Sequence, residues 1–116
     1  MKQRRVGDIV ILYPQGRLAG GPETDELERT IKELGEGGNQ RLLINLSETQ
    51  HLDSKALGVL IWGRSDYLRR GGQMKVCAVD RIRNTFLMTR LSLVFEVFST
   101  EEEALGGEPG ALPSDT

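Results

Sequence analysis

The apolar positions of this chain form short runs that alternate with segments of helical spacing. Five short runs predict β-strands, at Lys2–Val6, Ile9–Tyr13 and residues 42–46, 74–79 and 94–98. Four segments predict helices, which begin at Pro22, at residues 55 and 81, and after Thr100. The third of them, residues 81–91, should be capped by Asp80 and should turn Ile82, Phe86 and Leu87 inward. This alternation predicts an α/β fold: a single domain with a mixed, mostly parallel sheet of about five strands and about four helices in right-handed β-α crossovers. Only a Gly-Asp turn separates the first two strands, so that pair should be antiparallel.

The predicted second helix, residues 55–70, has two contrasting faces. At about 100° per residue, one arc should face the sheet; it holds Leu57, Leu60, Ile61, Tyr67 and Leu68. The opposite stripe has helical spacing and holds Lys55, Val59, Trp62 and Asp66. Because Trp is enriched at interface hot spots, the Val59–Trp62 pair indicates a protein-binding spot. The alternative, that Trp62 packs under the third helix, stays open.

Length and charge narrow the class of protein. The chain has 116 residues, 15 basic and 17 acidic side chains and a formal net charge of −2, which argues against a nucleic-acid binder. The start of the chain has no apolar signal core, and no segment approaches the length of a transmembrane helix. We therefore expect a cytoplasmic protein without direct membrane insertion. Residues 1–105 are predicted to be the domain, and residues 106–116, rich in Gly and Pro, a flexible C-terminal tail.

Metal and cofactor chemistry has little support. Cys77 is the only cysteine and lies in the apolar run 74–79, so we expect a buried thiol and no intrachain disulfide. His51 is the only histidine, whereas a structural zinc site needs about four Cys or His ligands. We expect no metal and no cofactor.

The segment after the apolar run 42–46 carries the most chemical information. A loop leads to Asp53 or Ser54, which opens the second helix, and Lys55 follows at once. The free amides and the dipole of a helix start favour an anion there. No P-loop or Gly-x-Gly-x-x-Gly motif is present, so nucleotide binding ranks third among the functions considered. An enzyme has the least support, because no nucleophile–base pair can be assembled.

Five short motifs together resemble the STAS domains of bacterial anti-sigma factor antagonists, over residues 1 to about 105. They are Gly16-Arg17-Leu18, Leu43-Ile44-Asn45-Leu46-Ser47, Leu52-Asp53-Ser54, Leu57-Gly58-Val59-Leu60 and Gly71-Gly72. The resemblance implies a regulator without catalytic activity that binds an anti-sigma factor, which is also a serine kinase. In such proteins the kinase phosphorylates a Ser or Thr at the start of the second helix, and the phosphate prevents binding.

Two positions depart from that family pattern. Where the second hydroxyl residue of Asp-Ser-Ser/Thr would accept phosphate, this chain has Lys55, which cannot accept it in that way. Ala19 stands where the family tends to carry an acid. Ser54 is the remaining, weak phosphoacceptor candidate. We therefore predict a protein that is not switched by phosphorylation at position 55.

The predicted partner surface combines the second-helix start with the loops at residues 17–21 and 49–53. Its members are Ala19, Asp53, Ser54, Lys55, Val59 and Trp62. An alternative is a STAS subunit of a phospholipid-transport ABC system that binds the transporter ATPase. The exposed positions of the second helix could equally support a homodimer.

Overall fold

Strands and helices alternate along residues 1–106, the part of the chain that the computed structural model describes. The strands are β1 (Lys2–Val6), β2 (Ile9–Tyr13), β3 (Gly16–Leu18), β4 (Arg41–Asn45), β5 (Thr49–Leu52), β6 (Gln73–Cys77) and β7 (Val97–Phe98). The helices are α1 (Pro22–Glu36), α2 (Ser54–Arg69), α3 (Asp80–Met88) and α4 (Glu101–Leu105), with a short 3₁₀ turn at Leu91–Leu93. The predicted tail beyond Gly106 lies outside the described residues, so the domain boundary stays a prediction.

The main sheet confirms the predicted fold class. Its five strands lie in the order β1-β2-β4-β6-β7. The β1–β2 pair is antiparallel, as the tight turn between them requires, and the β2–β4, β4–β6 and β6–β7 pairs are parallel.

A second, smaller sheet was not predicted. The strands β3 and β5 pair in parallel, with Arg17 beside His51 and Leu18 beside Leu52. Both segments are short and mostly polar, so neither gives an apolar alternation. The buried Thr49 hydroxyl donates to the Pro14 carbonyl at 2.8 Å, which fastens this small sheet to the end of β2.

Both faces of the central strands are buried. Val10 and Leu12 of β2 lie in the larger core, with residues of α1 and α2. Ile11 lies on the opposite face, in a smaller core under α4. Cys77 lies in that smaller core and is buried, as predicted. Burial, and then the nearby charge of Glu101, raises the pKa of its thiol to about 12, so the thiolate is scarce at neutral pH.

The buried face of α2 is wider than the predicted one and turned toward α1. Val59 and Asp66, expected on the polar stripe, are buried. Ile61 and Leu68, expected to face the sheet, are exposed. The reason is close helix packing: a Cβ on Gly63 would lie 3.1 Å from Ile31 of α1, and Gly63 shares a stripe with Val59 and Asp66.

The buried carboxylate of Asp66 is paired with two arginine side chains. Its carboxylate accepts a 3.0 Å hydrogen bond from Arg70 Nε and forms a second ion pair with Arg69. Arg70 also donates to the Gly35 carbonyl of α1 at 3.3 Å. The carboxylate thus belongs to the contact between the two helices, which the periodicity of α2 alone does not reveal.

The third helix is shorter than predicted and capped differently. The N-cap residue is Val79, and Asp80 is the first helical residue, bonded to Arg83 at 3.1 Å. Ile82 and Phe86 face inward as expected, whereas Leu87 does not and is 61% exposed. The helix ends at Met88 because Arg90 adopts a left-handed conformation (φ 63°) before the 3₁₀ turn.

The short α4 is anchored to the sheet by one carboxylate. Tyr13 Oη donates to Glu101 Oε1 at 2.6 Å, Asn45 Nδ2 donates to the same oxygen at 2.9 Å, and Arg4 pairs with Oε2. The Thr100 hydroxyl caps the helix by accepting from the Glu103 amide at 3.1 Å. Burial raises the pKa of Glu101, but the hydrogen bonds from Tyr13 and Asn45 together with the charge and hydrogen bond of Arg4 outweigh it, so its pKa lies below the ordinary value of 4.5.

We predict that the Glu101 anchor makes stability depend on pH. A folded-state pKa below the unfolded one stabilises the protein above the unfolded pKa, and this contribution disappears as the pH falls through the folded value. Glu101→Gln should therefore lower the free energy of unfolding by about 1–2 kcal/mol at neutral pH and by much less near pH 3. Urea unfolding at both pH values measures the difference. The exposed neighbour provides the control: Glu102→Gln should change stability by less than about 0.5 kcal/mol, and an equal effect of both variants would contradict the anchor.

Candidate functional site

Three helices begin at the same edge of the sheet. The strands β2, β4, β6 and β7 run parallel, and α1, α2 and α3 each begin after the chain has left the carboxyl end of a parallel strand. Each helix start directs free backbone N–H groups and a partial positive charge outward. This edge therefore favours anionic groups, as the sequence predicts for α2 alone.

The start of α2 is held by Asp53. Its carboxylate accepts from the Ala56 amide at 2.8 Å, and its own amide donates to the Leu18 carbonyl at 3.0 Å. Asp53 rather than Ser54 is therefore the N-cap residue. Ser54 is the first residue of the helix and is exposed.

The side chain of Lys55, in the first turn of α2, is exposed to solvent. Its Nζ is 3.6 Å from Asp25 Oδ1 of α1, and the two side chains are 56% and 59% exposed. An ion pair this exposed contributes about 0–1 kcal/mol, so it holds the lysine only weakly. The ammonium group can exchange Asp25 for another carboxylate at little cost.

The loop between β3 and α1 completes this surface. Gly20 adopts φ +75°, and a Cβ there would lie 3.5 Å from Asp53 Oδ2 and 3.8 Å from Lys55 Cδ. Ala19, on the same loop, is exposed. We call Ala19, Gly20, Ser54 and Lys55, with Asp25 and Asp53, the docking face.

The structure thus brings together four of the six residues predicted for partner binding. Ala19, Asp53, Ser54 and Lys55 meet in the docking face, whereas Val59 is buried. Trp62 is 38% exposed and lies seven residues, about 10 Å, further along α2. The role of all six residues in binding a partner stays a prediction.

Sequence reasoning missed Asp25 as the partner of Lys55 and missed the role of Arg81. Arg81, at the start of α3, donates to the Gln50 carbonyl of β5 and ties a third helix start to the same edge. Both residues follow the carboxyl ends of strands, which is the only sequence signal that could have selected them. Grooves of about 400 and 330 Å³ lie elsewhere, beside Leu34 and Tyr13.

Two further findings concern residues 1–106 as a whole. No group of three or more His, Cys, Asp or Glu side chains in this part is arranged to hold a metal ion. Among its helices, none combines the length and the apolar composition needed to cross a membrane.

The family model for the STAS domain matches residues 1–104, so the chain belongs to the STAS domain family. The resemblance inferred from the motifs is therefore confirmed.

Solved structures of similar proteins share the fold. A Thermotoga maritima protein proposed to be an anti-sigma factor antagonist superposes with a TM-score of 0.78 at 20% identity, over 90% of this chain and 91% of that one. An anti-sigma factor antagonist from Mycobacterium paratuberculosis gives 0.76 at 21% identity, over 90% and 89%. The anti-sigma factor antagonist SpoIIAA of Bacillus gives 0.71 in its unphosphorylated form and 0.70 in its phosphorylated form, at 16% and 18% identity. Those two matches cover 90% of this chain and 94% and 96% of SpoIIAA. At such identities the likeness establishes the fold.

We predict that Asp53, and not Ser54, holds the start of α2. Asp53→Ala removes the acceptor for the Ala56 amide and should lower the free energy of unfolding by about 1 kcal/mol. Ser54→Ala should change it by less than about 0.5 kcal/mol, because the Ser54 side chain is exposed. Denaturant titrations of both variants compare the two residues, and a larger loss for Ser54→Ala would contradict the assignment.

Proposed function

We propose that this protein is a non-catalytic regulator of the anti-sigma factor antagonist type, which binds its partner through the docking face. The STAS family match and the fold shared with solved anti-sigma factor antagonists support this class. The partner we expect is an anti-sigma factor that is also a serine kinase, and cytoplasmic location remains part of the proposal.

The exposed ammonium group of Lys55 is the observation that supports binding without a phosphorylation switch at this position. A phosphoserine at a helix start would add nearly two negative charges, whereas Lys55 presents one positive charge at that place. Position 55 therefore carries a permanent charge opposite in sign to that of a phosphorylated residue. We infer binding that cannot be turned off at position 55.

The surroundings of Lys55 favour an acidic group on the partner. The α2 start adds free amides and a partial positive charge, and the pair with Asp25 is exposed. A partner carboxylate that is shielded from water on docking would bind the ammonium group more strongly than Asp25 does in the free protein.

We predict that Lys55→Glu weakens partner binding. The partner is first captured from the source cell with the wild-type protein, identified and purified, and its affinity is then measured by calorimetry. Reversing a charge at the centre of the face should weaken binding about tenfold or more, which corresponds to about 1.4 kcal/mol. Lys32→Glu, a reversal on the exposed side of α1, should leave the affinity unchanged.

A charge swap separates direct contact from an effect through the ion pair. The double variant Asp25→Lys, Lys55→Glu keeps an ion pair between positions 25 and 55 but exchanges the two charges. Full recovery of affinity in the swap would contradict direct contact of Lys55 with the partner. Capture of a transporter ATPase instead of a kinase would favour the phospholipid-transport alternative.

We predict that the purified kinase partner and Mg-ATP leave position 55 unmodified. Lys55→Ser restores a hydroxyl at the first turn and should accept phosphate, which provides the positive control. Mass spectrometry of both proteins reads out the result. No phosphate on the wild type would agree with constitutive binding, whereas phosphate on Ser54 would contradict it and identify a displaced switch.

A further inference from the structure

Exposed apolar side chains are confined to one segment of the chain. Within residues 1–106, all eight large apolar side chains that are exposed lie between residues 61 and 96. The most exposed are Leu93 at 82%, Met88 at 78% and Leu87 at 61%. They lie on α3 and the 3₁₀ turn, and with Leu68 and Val94 they indicate an interaction surface.

The same segment carries an excess of positive charge. Residues 61–96 contain seven basic and three acidic residues, whereas the rest of the chain contains eight basic and fourteen acidic ones. Two of the three acids are already paired, Asp66 with Arg69 and Arg70 and Asp80 with Arg83. Arg90 is exposed between Met88 and Leu93, and it is the only non-glycine residue among residues 1–106 with a positive φ. The part of the chain that exposes the apolar side chains therefore has a net positive charge.

The surface is concave on both sides of the 3₁₀ turn. A groove of about 210 Å³ lies between Leu68 of α2 and Val94, and its charged lining consists of Arg64, Lys75 and Glu96. A second groove, of about 180 Å³, is lined by Phe86, Leu87 and Arg83. Grooves of this size accommodate single side chains of a partner.

The first groove lies along an open sheet edge. The strand β7 pairs only with Val76 and Cys77 of β6, so Met74 has no neighbouring strand on that side among residues 1–106. The other edge strand, β1, is exposed but carries Lys2, Arg4 and Arg5, which discourage pairing. The first groove is thus bordered by a short stretch of the β6 edge at Met74.

We propose that Leu68, Leu87, Met88, Arg90, Leu93 and Val94, which we call the apolar–basic face, bind a protein segment that carries apolar and acidic side chains. Its apolar residues would occupy the two grooves, and its carboxylates would meet Arg90 and compete with Asp80 for Arg83. The two grooves favour a peptide over a lipid surface, and the shared positive charge disfavours a second copy of this chain. From Lys55 to Leu68 the helix spans about 20 Å, so this face is separate from the docking face.

A selection from a random peptide library tests the proposal, with the full-length wild-type protein immobilised. Enriched peptides should combine large apolar residues with Asp or Glu and should lack an excess of Lys or Arg. A synthetic copy of a selected peptide should bind at least about tenfold more weakly to Leu93→Asp and to Arg90→Glu. Both positions are exposed, and circular dichroism checks that the variants fold.

Two control variants keep this result separate from the proposed function. Arg29→Glu, a reversal on exposed α1, and Lys55→Glu, in the docking face, should both retain wild-type affinity for the peptide. Equal loss with Lys55→Glu would overturn the existence of a separate face. Failure of Lys55→Glu to affect the kinase partner would overturn the proposed function and leave this face intact.

Other occupants would overturn the proposal in distinguishable ways. If no peptide is enriched but phosphatidylglycerol vesicles bind the protein, phosphatidylcholine vesicles do not, and Leu93→Asp abolishes binding, the face is a lipid surface. If sedimentation reveals a dimer that Leu93→Asp dissociates, the occupant is a second copy. Enrichment of neutral or basic peptides, or equal binding to all variants, would also overturn it.

Discussion

The parallel pairing of β4 with both β2 and β6 is the constraint on which the candidate site depends. Parallel neighbours must be joined by crossovers, so the chain returns through helices that begin at one edge. The small β3–β5 sheet extends this edge, since Leu18 accepts from the amide of Asp53 and thereby positions the start of α2. The docking face is thus a consequence of strand direction, with residues supplied by two connections, β2 to β4 and β4 to β6.

Electrostatics explains why a lysine is tolerated at this edge. A cation near a helix N-terminus is unfavourable by about 0.3–1 kcal/mol, and the exposed pair with Asp25 returns about 0–1 kcal/mol. The two effects are of similar size, so Lys55 is close to neutral for stability. A residue with little effect on the fold is free to be selected by what it contacts outside the molecule.

Sequence patterns predict the elements that depend on their own residues, and they fail for elements whose structure or buried face depends on packing against another element. The β1–β2 pair and the span of α2 follow from local patterns. The strands β3 and β5 do not, because hydrogen bonding between Gly16–Leu18 and Thr49–Leu52 makes them strands without any apolar alternation. Val59 and Asp66 were placed on the wrong face, because close packing of α1 at Gly63 buries a stripe that α2 alone presents as polar. At the candidate site, Lys55, Asp53 and Asp25 can each be located at a helix start, but the pairing of Asp25 with Lys55 cannot be predicted, since it depends on how α1 and α2 pack together.

A formal net charge of −2 conceals a strong separation of charge along the chain. The basic excess lies in residues 61–96, on the part of the molecule that also exposes its apolar side chains, while α1 and α4 hold much of the acid. Because α2 runs from Lys55 at one end to Leu68 at the other, a single rigid helix connects the docking face with the apolar–basic face. A partner on one face leaves the other about 20 Å away and accessible. The fold therefore permits two proteins to be bound at the same time. A protein that is only switched by phosphorylation at the start of α2 would not need the second face.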